Sequence, residues 1–147
     1  MKAIIQRVKS AKITVEGVDV ASIGVGIMVL LGVCRGDDSE TLKTMSHKLY
    51  NLRVFPDEKG KMSRSVHEVG GSILIVSNFT LCGDTSKGHR PSFINAEDPI
   101  SAKAIYNELV QSLRNMGDTP IETGRFGAMM ECTLTNDGPV TISIDVQ

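Results

Sequence analysis

The stretch Gly26-Ile27-Met28-Val29-Leu30-Leu31-Gly32-Val33 decides the fold, because it contains no polar side chain from Ile27 to Val33. A short, unbroken apolar run of this kind predicts a central strand that is buried on both faces of a sheet. The run Ser72-Ile73-Leu74-Ile75-Val76-Ser77, which follows Gly70-Gly71, has the same buried character. The sequence therefore predicts a sheet with these two strands in its interior.

Shorter strands and two helices are predicted around this centre. Strands are expected where β-branched residues cluster or alternate with polar ones, at 2–8, 11–15, 18–23, 129–135 and 140–146. A helix from about Ser39 to Asn51 can be capped by Asp37 or Asp38. Asp98-Pro99 begins a second helix that runs to Met116, because proline is favoured at the first helical position. We expect a single compact α/β domain over residues 1–147, with a curved, mixed, largely antiparallel and barrel-like sheet and two main helices.

Composition excludes several classes of protein. The chain has 147 residues, which suits one domain, and 41% of them are hydrophobic, which excludes a disordered protein. No apolar run approaches the roughly 20 residues of a membrane span, and the opening residues lack the apolar core of a signal peptide. A formal net charge of −1 argues against a protein that coats nucleic acid electrostatically. We expect a cytoplasmic protein with no membrane partner and no DNA partner.

Cysteine and histidine spacing predicts neither a disulfide framework nor a metal site. Cys34, Cys82 and Cys132 are odd in number and far apart, which favours reduced thiols. The three histidines show no metal-ligand spacing. We expect no metal and no cofactor.

Ser77-Asn78-Phe79-Thr80-Leu81 is the first of three segments that could carry chemistry, because it follows a buried strand directly. Exposed backbone N–H groups at the carboxyl end of such a strand can hold an anion or an oxyanion. The alternative is that Ser77 and Thr80 only satisfy backbone groups of a turn, as these residues often do. The segment alone favours that alternative.

The other two segments are Asn136-Asp137-Gly138-Pro139 and Lys87-Gly88-His89-Arg90-Pro91-Ser92-Phe93. The first is interpreted as a hairpin turn between two strands, although an X-Pro bond can also be cis and turn two carbonyl groups to one side. The cations of the second could contact phosphate groups, or the segment could be only a solvated loop.

Taken together, these segments resemble the D-aminoacyl-tRNA deacylase (D-tyrosyl-tRNA deacylase) family, and the resemblance covers essentially the whole chain. It rests on Met1 to Val8, Asn51 to Phe55, Gly60-Lys61-Met62, Gly70-Gly71, Ser77 to Leu81, Lys87 to Phe93, Glu122 to Ala128 and Asn136 to Thr141. The match is specific because several separate motifs occur in the same order as in the family, whereas no one of them alone would be specific.

The resemblance implies a homodimeric enzyme that hydrolyses the ester between tRNA and a D-amino acid or a wrongly attached glycine. It implies that Gly138-Pro139 is a cis peptide that reaches into the partner's pocket and rejects L-amino acids. It also implies that Arg7 holds this element, that Phe126 and Met130 lie around the pocket, and that Ser77, Phe79 and Thr80 are catalytic. Asn78 departs from the family pattern, which has Gln at this position. Asn keeps the amide group but is one methylene shorter, so whether its amide makes the contact that the Gln amide would make stays an open question.

An aminoacyl ester is already activated, so hydrolysis needs a positioned water and a stabilised oxyanion. This explains the lack of an acid–base pair in the sequence. We expect the backbone N–H of Phe79 to be part of the catalytic group. Thr80 could act as a nucleophile or position the substrate, and we prefer positioning because the histidines, which could serve as a base, are remote in sequence. The resemblance adds the substrate's own 2′-hydroxyl. We also expect weak tRNA contacts from Lys87, His89 and Arg90. Two alternatives stay open, namely another small acyl-ester hydrolase and a non-enzymatic dimeric nucleic-acid-binding module.

Overall fold

The computed structural model describes residues 1–147, which form a mixed sheet and two helices, as the sequence predicts. The strands are β1 (Lys2–Val15), β2 (Val18–Ile23), β3 (Gly26–Gly32), β4 (Phe55–Pro56), β5 (Met62–Arg64), β6 (Ser72–Ser77), β7 (Ile121–Thr123) and β8 (Glu131–Asp145). The helices are α1 (Ser39–Asn51) and α2 (Pro99–Arg114). The short strands β5 and β7 were not predicted, because three residues carry too little periodicity to be recognised.

The main sheet has the order β2-β1-β3-β6-β7, and β8 pairs with the other side of β1. The pairs β3–β6 and β6–β7 are parallel, and the other pairs are antiparallel. The sheet curves until β2 contacts β6 and β7, which nearly closes it as a barrel. The predicted curved, mixed and barrel-like sheet is confirmed.

The central strand separates two apolar clusters, because alternate side chains of a strand point to opposite faces. Ile27, Val29 and Leu31 pack with the helices in the larger cluster, whereas Met28 packs with Leu74 on the other face. All four of the β3 side chains named here are buried, as the apolar run predicts. This double burial fixes β3 and β6 rigidly, so the residues that follow them start from a fixed frame.

Both helices begin where predicted, at aspartate caps. The carboxylate of Asp38 accepts hydrogen bonds from the backbone N–H groups of Glu40 and Thr41, and these bonds lower its pKa. Asp98 does the same for Ile100 and Ser101 at the start of α2. Such caps supply acceptors for N–H groups that have none within the helix.

The prediction of a hairpin at Asn136 to Pro139 is wrong, because β8 is one continuous strand along β1. Val8 pairs with Asn136 and Gln6 pairs with Thr141, so the four residues of 137–140 lie opposite Arg7 alone. β1 is long enough to pair with both halves of β8, which removes the need for a turn. The segment is therefore a bulge that projects from a strand.

The prediction that all cysteines are reduced is also wrong, since Cys34 and Cys82 form a disulfide. Their Cα atoms lie 5.7 Å apart although the residues are 48 positions apart in sequence. Cys34 follows β3 and Cys82 follows β6, and parallel pairing brings these two ends together. Cys132 is free and exposed on β8. Neither helix is long and apolar enough to cross a membrane.

Candidate active site

The carboxyl ends of three parallel strands meet at one edge of the sheet. Ser77 pairs with Leu31 at the end of β3, and Gly124 donates its N–H to the carbonyl oxygen of Ile75 just past β7. Ligands commonly bind at the carboxyl ends of parallel strands, because the chain leaves the sheet there and exposes polar backbone groups. The segment Ser77 to Thr80 lies at this edge.

The segment continues into a single 3₁₀ turn, Phe79–Cys82, here named the site turn. The N–H of Asn78 donates to the carbonyl oxygen of Leu31 at 2.7 Å, which ties the start of the turn to the neighbouring strand. At its end, the N–H of Gly83 donates to the carbonyl oxygen of Thr80 at 3.0 Å. Phe79 and Thr80 are exposed, and N–H groups at the start of a turn have no acceptor within it. These two groups can therefore receive a negatively charged oxygen.

Thr80 has no base to activate it. Its hydroxyl donates to Oδ1 of Asn78 at 2.5 Å, and an amide oxygen does not remove a proton near neutral pH. The residue that departs from the family pattern therefore orients Thr80, since the short side chain of Asn78 turns back onto the hydroxyl. This geometry favours positioning by Thr80 over nucleophilic attack.

The site turn lies directly against Gly32, the last residue of β3. A Cβ at Gly32 would lie 3.0 Å from both the carbonyl oxygen of Asn78 and Cβ of Leu81, and 3.3 Å from Sγ of Cys82. Only glycine permits this close approach without displacing the turn. Gly32 is therefore part of the frame that sets the position of Thr80.

The loop after the site turn carries the predicted cations. Asp84 and Ser92 exchange backbone hydrogen bonds of 2.8 and 2.9 Å, so Lys87, His89 and Arg90 lie on an exposed loop between them. The loop returns to the site through Phe93, whose ring meets that of Phe79 edge-on at 5.2 Å. The cations are thus carried beside the site, on a segment anchored to it by the aromatic pair.

Phe126 and Met130 lie beyond the end of β7, at the same edge of the sheet. Phe126 contacts the ring of Tyr106, and it lines a groove of about 500 Å³ together with the start of α2. The hydroxyl of Tyr106 donates to the carbonyl oxygen of Ile75, and burial raises the pKa of this Tyr106 hydroxyl. Met130 packs over Gly124, where a Cβ would collide with its sulfur. The structure therefore brings these two residues to the same edge of the sheet as Thr80, with Phe126 against the larger apolar cluster and Met130 against the smaller one.

Gly138-Pro139 is exposed, has a cis peptide bond, and is held by Arg7. Arg7 is largely buried and donates through Nε to the carbonyl oxygen of Asp137 at 3.2 Å. Its Nη1 donates to the carbonyl oxygen of Val54 at 2.6 Å, and Nε also forms an ion pair with the Asp137 carboxylate at 3.1 Å. The guanidinium thus fixes the base of the bulge to the body of the protein.

Within one chain, the bulge and the site turn are far apart. Arg7 pairs with Ile27, four residues along β3 from Leu31, which corresponds to roughly 13 Å along the strand. β8 is separated from β6 by β1 and β3, so three strand spacings, or roughly 14 Å, lie across the sheet. The sequence-predicted site residues therefore form two groups, one around Thr80 and one around Gly138.

Comparison with known proteins identifies the family. The family model described as D-Tyr-tRNA(Tyr) deacylase matches residues 4–145, a range that contains both groups of site residues. The chain belongs to this deacylase family. The resemblance inferred from the sequence is confirmed, and so is the prediction that the chain is a hydrolase of carboxylic ester bonds.

Relatives of this deacylase family match over nearly the full chain. A D-aminoacyl-tRNA deacylase from Thermomicrobium roseum is 50% identical over 145 residues, which cover 99% of this chain and 94% of the relative. A D-aminoacyl-tRNA deacylase from Deinococcus radiodurans is 47% identical and covers 99% of this chain and all of the relative. A solved structure named "c-Myc DNA Unwinding Element Binding Protein" matches with a TM-score of 0.96 and 43% identity, covering 100% of this chain and 99% of its own.

Another solved structure, named "Structural Analysis of a probable eukaryotic D-amino acid tRNA deacylase", matches with a TM-score of 0.82 at 20% identity. It covers 99% of this chain and 98% of its own, and at this identity it supports the fold alone.

Two features of the deacylase site were missed by the sequence interpretation. Gly32 was regarded only as part of an apolar run, although a glycine at the end of a buried strand is a signal of close backbone approach. Phe93 was quoted within the basic segment without a role, and only the fold shows that its ring meets Phe79.

Proposed function

We propose that this protein hydrolyses the ester bond of D-aminoacyl-tRNA, and of tRNA wrongly charged with glycine, releasing free amino acid and tRNA. The proposed enzyme is a cytoplasmic homodimer, and Gly138-Pro139 of one subunit excludes L-aminoacyl groups from the site of the other. Family membership and two relatives named D-aminoacyl-tRNA deacylase support the reaction. The dimer, the chiral selection and the glycine activity rest on the arguments below.

The observation that carries the proposal is the site turn, because its first two residues, Phe79 and Thr80, are exposed and their backbone N–H groups have no backbone acceptor. An aminoacyl ester needs little activation, so the main task is to stabilise the oxyanion that forms when water attacks the carbonyl carbon. Preorganised N–H donors do this without reorganising, and one donor is typically worth about 100- to 1000-fold in rate. The N–H groups of Phe79 and Thr80 start from the end of a rigid strand, which keeps them in place.

The attacking water needs a group that accepts or directs its proton. Thr80 is engaged with Asn78, and the terminal ribose carries a 2′-hydroxyl next to the ester-bearing oxygen. We therefore assign proton handling to the 2′-hydroxyl of the substrate and positioning to Thr80. This division agrees with the lack of a base bonded to Thr80.

The dimer is proposed because one chain carries two halves of a site that do not meet within it. Gly138-Pro139 is exposed at the tip of a bulge that Arg7 holds rigidly. A two-fold dimer can place this tip in the partner's site, since each subunit then gives and receives the same element. A rigid tip that collides with an L side chain rejects it without binding any particular D side chain, and glycine escapes because it has no side chain.

A substrate panel tests the proposed function. We expect rapid hydrolysis of D-aminoacyl-tRNA and glycyl-tRNA, no measurable hydrolysis of L-aminoacyl-tRNA, and no comparable activity on small acyl esters. Equilibrium sedimentation of the same preparation should give twice the mass of the chain. Preferential hydrolysis of small esters would favour the alternative of another acyl-ester hydrolase, for which the argument is Asn78 in place of Gln.

A second candidate function is nucleic-acid binding without hydrolysis. It is favoured by the name of one similar structure, "c-Myc DNA Unwinding Element Binding Protein", and by the exposed cations Lys87, His89 and Arg90. In that case binding should be strongly salt-dependent and the substrate panel should show no hydrolysis. We favour the enzyme, because the rigid turn and the bulge have no role in a simple binding module.

Gly32→Ala is expected to lower kcat for the D-aminoacyl ester by about tenfold or more, because the added methyl group pushes the site turn outward. The variant should retain its fold, since the turn lies at the edge of the sheet. Steady-state kinetics beside Gly24→Ala provide the comparison, because a Cβ at Gly24 meets nothing within 4 Å. Equal kcat values for the two variants would contradict the role of Gly32.

The double substitution Lys87→Ala and Arg90→Ala is expected to raise KM about three- to tenfold and to leave kcat nearly unchanged, because these cations contact phosphate groups and not the ester. The dependence of KM on salt should also weaken. Lys59→Ala with Lys61→Ala removes the same charge from the exposed turn between β4 and β5 and serves as the control. An equal effect in both pairs would indicate a general charge effect instead of a contact.

A further inference from the structure

The disulfide joins the proposed site to the central strand. Cys82 is the last residue of the site turn, two positions after Thr80, and Cys34 lies two positions after the end of β3. The start of the turn is held by the hydrogen bond from Asn78 to Leu31, whereas the bond at its end, from Gly83 to Thr80, is internal to the turn. The disulfide is therefore a covalent link between the end of the turn and the frame.

Reduction of this link requires the two sulfur atoms to separate. Sulfur atoms that are no longer bonded cannot stay at covalent distance, so the two side chains must move apart when the bond breaks. Cys82 is buried, so its sulfur cannot move without displacing the atoms packed around it. The extra space must come from an outward shift of the turn or of the segment around Cys34.

The segment around Cys34 is itself firmly held. The N–H of Cys34 donates to the Asp37 carboxylate at 2.7 Å, and that carboxylate also forms an ion pair with the amino group of Met1. Cys34 also forms an isolated β-bridge with Ala96, and the backbone N–H of Arg35 donates to the carbonyl oxygen of Asn95. The end of the site turn has only backbone hydrogen bonds within the turn, so without the disulfide this end is the less constrained partner and is the element that moves.

We propose that Cys34 and Cys82 form a thiol–disulfide modification site that responds to small-molecule thiols and disulfides and sets the turnover of the neighbouring site. The effect on turnover rests on the proposed deacylase function. The oxidised form, in which Thr80 is fixed, is the more active one. A shift of about 1 Å at a reacting group can cost roughly 100-fold, so a partial shift is expected to lower kcat about tenfold.

The exchange chemistry follows from the exposure of the two sulfur-bearing residues. Cys34 is partly exposed and Cys82 is buried, so the thiolate of a small thiol attacks Sγ of Cys34. The S–S bond breaks, the small molecule becomes bonded to Cys34, and Cys82 leaves as a thiolate that takes up a proton. A second small thiol then attacks the sulfur of the first. This releases the small-molecule disulfide and leaves Cys34 as a thiol, so the protein is reduced by two electrons and the two small thiols are oxidised.

The test compares the full-length protein after treatment with glutathione disulfide and with dithiothreitol. Alkylation under denaturing conditions and mass spectrometry should count one alkylated cysteine in the oxidised form and all three in the reduced form. We expect kcat for the D-aminoacyl ester to be about tenfold lower after reduction with KM little changed. Cys132→Ser should keep this response, and Cys34→Ala and Cys34→Ser should both lose it. Equal kcat in the two redox forms, or a response that persists without Cys34, would overturn the proposal.

Amide hydrogen exchange separates this proposal from the function on which its activity readout depends. The N–H groups of residues 80–83 should exchange faster in the reduced form, whether or not either form hydrolyses the ester. If neither form hydrolyses any D-aminoacyl-tRNA, the proposed function fails, and unequal exchange still supports the modification site. Identical exchange at residues 80–83 in the two forms would overturn it.

Discussion

In single-turnover experiments, a D-aminoacyl-tRNA whose terminal ribose lacks the 2′-hydroxyl is expected to be hydrolysed about 100- to 1000-fold more slowly than the normal substrate. The Thr80→Ala variant is expected to hydrolyse the normal substrate at most about tenfold more slowly than the unmodified enzyme. The difference follows from the site geometry. The Thr80 hydroxyl donates to the Asn78 amide and has no base, so its removal disturbs positioning, whereas loss of the 2′-hydroxyl removes the group that handles the proton of the attacking water.

Thr80→Ser is the matched control, because it retains the hydroxyl and removes one methyl group. It should react at close to the original rate. Single-turnover conditions are required, since they report the chemical step without product release. Near-normal hydrolysis of the deoxy substrate together with an inactive Thr80→Ala variant would show that Thr80 is the nucleophile, and our assignment would be wrong.

Gly138→Ala is expected to lower the ratio of kcat/KM for D- over L-aminoacyl-tRNA by at least about tenfold, or to abolish hydrolysis altogether. Gly138 has φ of +123°, a region that residues with a Cβ rarely adopt. An added Cβ would lie 2.9 Å from Cγ2 of Val140 and 3.1 Å from Nη2 of Arg7. The tip must therefore shift, and it shifts together with the guanidinium that holds it.

Gly60→Ala is the control for the backbone effect. Gly60 has φ of +76° in the turn between β4 and β5, and a Cβ there meets nothing within 4 Å. It shares the cost of a positive φ, but a Cβ there would not contact Arg7. Thermal unfolding of both variants separates loss of stability from loss of selection. Unchanged rates on D-substrates with unchanged rejection of L-substrates in Gly138→Ala would exclude a role for the bulge in selection.

The interior of the sheet and the starts of the helices were predictable because their causes are local. Seven consecutive apolar residues have one low-energy location, between two layers, and β3 occupies it. Asp38 and Asp98 supply acceptors for N–H groups two and three residues ahead, so capping needs no distant partner. The segment 77–81 was recognisable for a similar reason, since it follows a buried strand directly.

The course of β8 was not predictable from its own residues. Asn136 to Pro139 has the composition of a turn, and a turn is what an isolated strand pair would form there. The continuous β1 pairs with both halves of β8, so Ile142 lies opposite Ile5 and Cys132 lies opposite Ile13. The backbone hydrogen bonds of this long pairing outweigh the local preference, and the four residues are displaced as a bulge.

The apolar run from Ile27 to Val33, on which the fold rests, thus determined by itself that the protein has a buried central strand, and the local motifs determined the family. Only the tertiary structure decided what lies at the end of that run. Parallel pairing with β6 brings Cys34 to Cys82 and places the site turn on Gly32, across a sequence gap of nearly 50 residues. Burial and capping depend on neighbours within a few residues, whereas the disulfide, the fixed site turn and the separation of Thr80 from Gly138 depend on which strands pair, and strand pairing is a property of the whole chain.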